Sequence, residues 1–359
     1  MQPLLILRVH TDLRLGMGHV ARALAIQDVW GALGGRSCLA VSGDLRARRV
    51  GGGLHPFLEQ PLPCQAVDLG EALEAPIPEE LRSQAAVVLV DQWDTTLSQI
   101  QALHPLPVAV MEDDGEAHEQ ANLLFQPYLE GVHWPAGPVR AVNGQKVHPC
   151  ETSHGGCRVL RGLGYVVVSP IATLQRPRRE PQQPLSVRKL LLTFGGTDGP
   201  GLGQRAYDVL GILAANGRWR GTATLVAPQG VKGGPVPGCT VIPQLSELTK
   251  RISDYDAIWC AMGLTLAEAM CLGVPAAAWG QNERQARMIG DVARANGCFS
   301  LGEGPGADLA PSAEALAQWL GPVGQEARQE QVRDGMVLVD GMGASRVAQE
   351  LWSLAKSRG

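Results

Sequence analysis

Short apolar runs, each closed by polar or turn-forming residues, alternate along the first half of the chain with segments whose apolar positions recur at helical spacing. LLILRV (4–9) leads into a glycine-rich turn and then HVARALAIQDVWGALGG. There Val20, Ala23, Leu24, Ile26, Val29, Trp30 and Leu33 share a face near helical spacing, and Gly34 and Gly35 stop the helix. SCLAVS (37–42), AAVVLVD (85–91), PVAVMEDD (107–114) and ANLLFQP (121–127) follow as further strand candidates. The alternation predicts a parallel sheet wrapped by helices, with binding groups at the strand ends.

From Glu130 to about Arg188 the character changes, with Pro, Gly, Gln and Arg gathering around one apolar run, GYVVVSP (164–170). This segment is expected to hold an insertion at about 130–160, a last strand of the first domain, and a linker through PRREPQQP (177–184). The alternation restarts with KLLLTFGG (189–196), TATLVAP (222–228), CTVIP (239–243), AIWCA (257–261) and PAAAWG (275–280), enough strands for a second sheet. LTLAEAMCLG and ERQARMIGDVARANG supply helices, and the amphipathic ASRVAQELWSLAK is expected to cross back onto the first domain. The resulting division is a first Rossmann-like domain over 1–176, a linker over 177–188, a second over 189–340, and a C-terminal helix over 341–359.

Length agrees with that division, because 359 residues exceed one ordinary core and suit two domains of roughly 150 to 180 residues each. Apolar residues at 45% and charged residues at 18% provide for buried sheets and exclude wholesale disorder. A net charge of -4 offers no basic surface for counterion release, so nucleic acid is not an expected partner. The N-terminal apolar run lacks a basic lead and a cleavage site, and reads as a first buried strand. No stretch approaches the ~18 uninterrupted apolar residues of a membrane-spanning helix. Eight scattered cysteines, with Cys38, Cys260, Cys271 and Cys298 in apolar runs, suit a reducing compartment, and the cytoplasm is the expected location.

Candidate chemistry begins with GMGHVARALA, where Gly16 and Gly18 permit a tight turn and close ligand approach and His19 stands at a helix start. Helix N-termini present unpaired N–H groups suited to a diphosphate, and an imidazole there can act as a base near neutral pH. A dinucleotide fingerprint would want a third glycine where this chain has Ala21 or Arg22. In the second half, Gly195 and Gly196 follow a strand directly, where bare backbone amides can reach a phosphate. In AMGLTLAEAMCLGVP, Gly263 follows a strand, and Thr265 with Glu268 matches a capping box. The same residues also suit a pyrophosphate at the helix start and ribose hydroxyls on Glu268.

The ordered set GMGHVARALA, VVLVDQW, MEDD, LLLTFGGTD, AMGLTLAEAMCLGVP and VDGMGASRVAQEL resembles the UDP-sugar hydrolase family of the pseudaminic acid pathway and its spore-coat polysaccharide relatives, over about residues 5–350. More distantly it is similar to the peptidoglycan-precursor N-acetylglucosaminyltransferase. The resemblance implies an α/β chain of the GT-B fold, two Rossmann-like domains facing across a cleft, with the donor nucleotide on the C-terminal domain. It implies His19 as the catalytic group that prepares a water for attack on the anomeric carbon, with Asp91 as its catalytic partner. Substrate contacts carry over to Gly16, Gly18 and Arg22, to Trp93 in place of the family's tyrosine, and to the paired acids Asp113 and Asp114. In the second domain they carry over to Gly195, Gly196, Gly263, Leu264, Thr265 and Glu268, then to Asn282, with Gln285 as a substitute. The family's arginine and phenylalanine in the segment matching GLGYVVVSPIATL are missing here.

The expected reaction is hydrolysis of a UDP-linked amino or deoxy sugar, with no cofactor. A glycosyltransferase would use the same donor site, with His19 deprotonating an acceptor hydroxyl, and a non-catalytic nucleotide-sugar binding protein is a third reading. HPCETSHGGC adds His148, Cys150, His154 and Cys157, residue types that can form a tetrahedral zinc site at a spacing unlike that of familiar zinc modules.

Overall fold

In a computed structural model of the chain the described residues are 2–11, 18–43, 65–92, 95–113, 115, 120–128, 141–142, 145–146, 150–154, 156–196, 198 and 200–357, with the backbone alone described for 141–142, 145–146 and 150–154. Two compact units emerge, one of residues 1–128, 148–167 and 342–359, the other of residues 129–147 and 168–341.

The first unit is built on strands β1 (Leu4–Thr11), β2 (Arg36–Gly43), β3 (Gln65–Asp68), β4 (Ala85–Asp91), β5 (Val108–Met111), β6 (Leu123–Gln126), β7 (Cys150–His154) and β8 (Cys157–Arg161), with helices α1 (Gly18–Ala32) and α2 (Leu97–Ala102). Their order in the sheet is β3-β2-β1-β4-β5-β6-β8-β7. All neighbours run parallel except the β7–β8 hairpin, which is antiparallel. Every residue of β1 is buried. Leu5, Leu7 and Val9 face the layer of α1, whereas Leu4 and Ile6 join Val88, Val90 and Ile100 on the other side. Burial on both faces is why such a strand reads as an unbroken apolar run.

The C-terminal helix, Gly343–Lys356, packs on α1 through Val347, Ala348 and Leu351, with Trp352 edge-on to Trp30 at 4.8 Å between ring centroids. Its entry requires glycine, since a Cβ on Gly343 would lie 1.9 Å from the carbonyl oxygen of Val166. That packing also corrects the reading of GYVVVSP as a strand. Leu163–Tyr165 form a 3-10 turn, and Tyr165 and Val167 are apolar because they sit in the core of this unit without joining the sheet. The last parallel strand is instead CRVLR (157–161), within the segment expected to be an insertion.

The second unit repeats the plan with β9 (Lys189–Thr193), β10 (Thr222–Val226), β11 (Cys239–Ile242), β12 (Ala257–Ala261), β13 (Ala276–Gly280) and β14 (Phe299–Glu303), all parallel in the order β11-β10-β9-β12-β13-β14. Its helices include α3 (Pro170–Gln175), α4 (Leu202–Ala215), α5 (Leu264–Leu272), α6 (Glu283–Arg294), α7 (Leu309–Leu320) and α8 (Gln325–Leu338). Small alanines on β12 and β13 leave room for Trp259 and Trp279, which meet at 4.5 Å and pack with Phe194.

Ahead of the C-terminal helix the first unit's last residue is Val167, where the sequence suggested 176, and the stretch read as a linker, 177–188, belongs with the second unit and is fastened to it. Arg176 donates from Nη1 to the carbonyl of Cys271 at 2.8 Å and from Nη2 to that of Met336 at 2.7 Å. Arg328, fully buried, donates to the carbonyls of Pro184 at 2.7 Å and Leu185 at 3.1 Å. Buried guanidinium groups need such acceptors, and carbonyls of an irregular segment need such donors.

Candidate functional site

In an open α/β sheet of order 3-2-1-4-5-6, groups gather at the carboxyl ends of the strands where the winding reverses. In the first unit that point lies between β1 and β4. Helix α1 presents His19 and Arg22 on one face, three residues apart. The last residue of β4 is Asp91, and the residue after β5 is Glu112.

These four side chains form one network. Nδ1 of His19 lies 2.6 Å from Oδ1 of Asp91. Arg22 donates from Nε to Oδ2 of Asp91 at 2.7 Å and from Nη2 to Oδ1 at 2.6 Å, a forked contact, while its Nη1 donates to Oε1 of Glu112. His19 is 4% exposed and Asp91 1%. Burial by itself would raise the Asp91 carboxyl, but Arg22 and His19 outweigh it and hold it down at about 2. Burial likewise opposes the charge on Arg22, and Asp91 and Glu112 reverse that, raising the guanidinium above its usual range. Tyr128 is buried at the edge of the cluster, its phenol pushed up by burial first and Glu112 second.

An ionised carboxylate on Nδ1 fixes the ring's orientation, selects the tautomer whose basic nitrogen is Nε2, and stabilises the ring once it has taken a proton. The cluster can therefore perform general-base chemistry at the open end of the sheet. Arg22, expected to touch substrate, is engaged by the two carboxylates. Asp113 turns its carboxylate to the N–H groups of Gly115 at 2.7 Å and Thr95 at 3.2 Å, and among the described residues of MEDD the acid that joins the network is Glu112, which sequence reasoning passed over. The signal was its place directly after an apolar strand. Gly18, the exposed first residue of α1, precedes His19. Gly16, Trp93 and Asp114 lie outside the described residues.

The second unit places Gly195 and Gly196 after β9, Gly195 with a φ of 97°. Asp198 then caps α4, accepting from the N–H groups of Leu202 and Gly203 at 2.8 Å each, so that helix start is occupied by protein. The start of α5 differs. Gly263 adopts φ 145° and ψ -159° as N-cap and, among the described residues, no side chain caps the helix. Leu264 and Thr265 thus open α5 with first-turn amides of the kind that bind anions.

The expected capping box is absent because the helix begins at Leu264, which puts Thr265 inside its first turn and Glu268 beyond capping reach. Glu268 is buried, accepting from Oγ1 of Thr249 at 2.9 Å and from the N–H of Ser169 at 3.3 Å. Burial raises its carboxyl against the lowering effect of those two donors. Asn282 and Gln285 serve α6. Oδ1 of Asn282 accepts from the N–H of Gln285 at 2.9 Å, and Oε1 of Gln285 accepts from that of Gln281 at 3.1 Å.

Of the possible zinc ligands, His148 and the side chains of Cys150 and His154 lie outside the described residues. Cys157 is packed in the first unit's core and its thiol is pushed up to about 11 by burial, the state of a small hydrophobe. Among the described residues no three His, Cys, Asp or Glu side chains are grouped to hold a metal ion. No described helix is long and apolar enough to cross a membrane.

No protein-family model matches the chain. No curated protein matches it either. Solved structures do. MurG of Acinetobacter baumannii is 12% identical with a TM-score of 0.58, over 97% of this chain and 99% of that one. The spinosyn forosaminyltransferase SpnP is 11% identical with a TM-score of 0.61, over 99% of both chains. UGT2 of Phytolacca americana, complexed with UDP-2-fluoro-glucose and pterostilbene, is 11% identical with a TM-score of 0.59, over 99% of both chains. At these identities the likeness shows the fold. The chain is an α/β protein of two Rossmann-like parallel-sheet units, the GT-B architecture.

Proposed function

We propose that this chain is a nucleotide-sugar-dependent glycosyltransferase in which His19 takes the proton from the acceptor hydroxyl as that oxygen attacks the anomeric carbon. The observation that carries the reading is the 2.6 Å contact between Nδ1 of His19 and Asp91, a carboxylate held ionised by Arg22. It gives the imidazole the tautomer a general base needs. The donor class rests on the fold shared with SpnP and with UGT2, the latter bound to a UDP-sugar analogue. It rests also on the start of α5 in the second unit, which no side chain among the described residues caps and whose amides and partial positive charge suit the diphosphate of a UDP-sugar. As the C–O bond breaks, negative charge builds on the departing diphosphate, and such amides favour that state over the ground state.

Hydrolysis is the second reading, favoured by the GMGHVARALA segment, with water in place of the hydroxyl. One experiment separates them. The protein is incubated with UDP-glucose, UDP-N-acetylglucosamine and a dTDP-sugar, and nucleotide release is followed with and without a panel of acceptor alcohols. Release only in the presence of an acceptor supports transfer, and equal release without one supports hydrolysis. Failure of every donor to bind or turn over contradicts both.

A further inference from the structure

One member of the charged network has a backbone conformation that ordinary residues avoid. Glu112 sits at φ 52° immediately after β5, pinned there by its N–H donating to the carbonyl of Phe125 at 2.9 Å. A non-glycine residue in that region is strained and persists where its surroundings require it. The strained residue is the one whose carboxylate takes Nη1 of Arg22, leaving Nε and Nη2 of the same planar group to grip Asp91. Because the guanidinium is rigid, fixing one corner fixes the other two. Without Glu112 the single cation would neutralise Asp91 outright and could swing about its contact edge, drawing Oδ1 away from the imidazole.

We propose that Glu112 is a positioning residue, which orients Arg22 so that Oδ1 of Asp91 stays aligned with Nδ1 of His19. The assignment rests on the reading of His19 as the base, and deepens it by naming what sets the geometry of the pair. Glu112 touches no reacting atom and acts only through Arg22 and Asp91.

The test reads the pair directly and needs no substrate. In the full-length protein, nuclear magnetic resonance of ring-labelled histidine shows the Nδ1 proton of His19 as a strongly downfield signal, assigned by its loss in His19→Asn. Glu112→Gln and Glu112→Gly are expected to move that signal upfield and speed its exchange with water, while circular dichroism and the unfolding midpoint stay near those of the parent. Glu112→Gly relieves the positive φ and so offsets part of the lost ion pair. With any donor turned over, kcat falls ~10- to 100-fold, within the range of coupling through one hydrogen-bond and salt-bridge network, with the donor KM unchanged. An unmoved signal in both variants overturns the proposal, as does a signal lost only together with the fold. If His19→Asn keeps full turnover, the base reading fails on its own, while the signal in the Glu112 variants still decides the positioning role.

Discussion

The two units wind their strands in the same order, yet the carboxyl ends of equivalent strands carry opposite chemistry. After β1 come His19 and Arg22, where β9 is followed by Gly195 and Gly196. The end of β4 is Asp91, whereas β12 runs on to Gly263, and β5 leads to Glu112 where β13 leads to Asn282. One unit concentrates charge around an imidazole. The other clears away side chains and leaves backbone amides at the start of α5, with the buried acid Glu268 tied to a hydroxyl and an N–H. A fold of this kind supplies positions, and the residues placed there decide whether they move protons or hold phosphate.

The comparison breaks most visibly at His19. His19→Ala is expected to lower turnover ~100- to 10,000-fold, the range of general-base assistance, with the unfolding midpoint nearly unchanged. A steady-state assay checks it once a donor is in hand. Next comes Asp91→Ala, which strips Arg22 of its forked contact and should cost roughly 3–5 kcal/mol in urea unfolding at neutral pH.

The same carboxylate has an acid signature with a definite sign. Its folded value, about 2, lies below the ordinary 3.8, so its contribution is present above the ordinary value and is lost as pH falls through the folded one. Stability of the parent should therefore drop between about pH 4 and pH 2, and Asp91→Asn should remove that part of the slope.

In the second unit Gly263→Ala is expected to cost roughly 1–3 kcal/mol, because only glycine adopts φ 145° with ψ -159° without strain. The smallest effect falls on Glu268→Gln. Burial raises its folded carboxyl value, so the charged form is the costly one, and that contribution to stability is full below the ordinary carboxylate range and lost as pH rises through the folded value. The neutral amide should leave neutral-pH stability within about 0.5 kcal/mol of the parent or slightly above it.

Much of this was legible in the residues. Unbroken apolar runs announced strands buried on both faces, and a histidine two residues into a helix after a glycine turn announced the imidazole. Asp91 was visible because it closes such a run. Glu112 was not, because MEDD offers three acids and the point where β5 ends is what brings Glu112 to Arg22. GYVVVSP misled because burial under the C-terminal helix leaves the same apolar signature as pairing in a sheet. The fastening of residues 177–188 was hidden too, since it depends on Arg328, far along the chain, reading carbonyls that no side-chain pattern encodes. Asn282 and Gln285 looked like ligand contacts, and the fold gives each a local partner as well: Asn282 caps α6 and Gln285 accepts from the N–H of Gln281, uses the residue types alone do not reveal.

The division of labour between the units is tested most directly by calorimetric titration of UDP into His19→Asn and Gly263→Ala, side by side with the parent. The account predicts parental affinity in the first and clearly weakened affinity in the second. Loss of UDP binding in His19→Asn with retention in Gly263→Ala would contradict it.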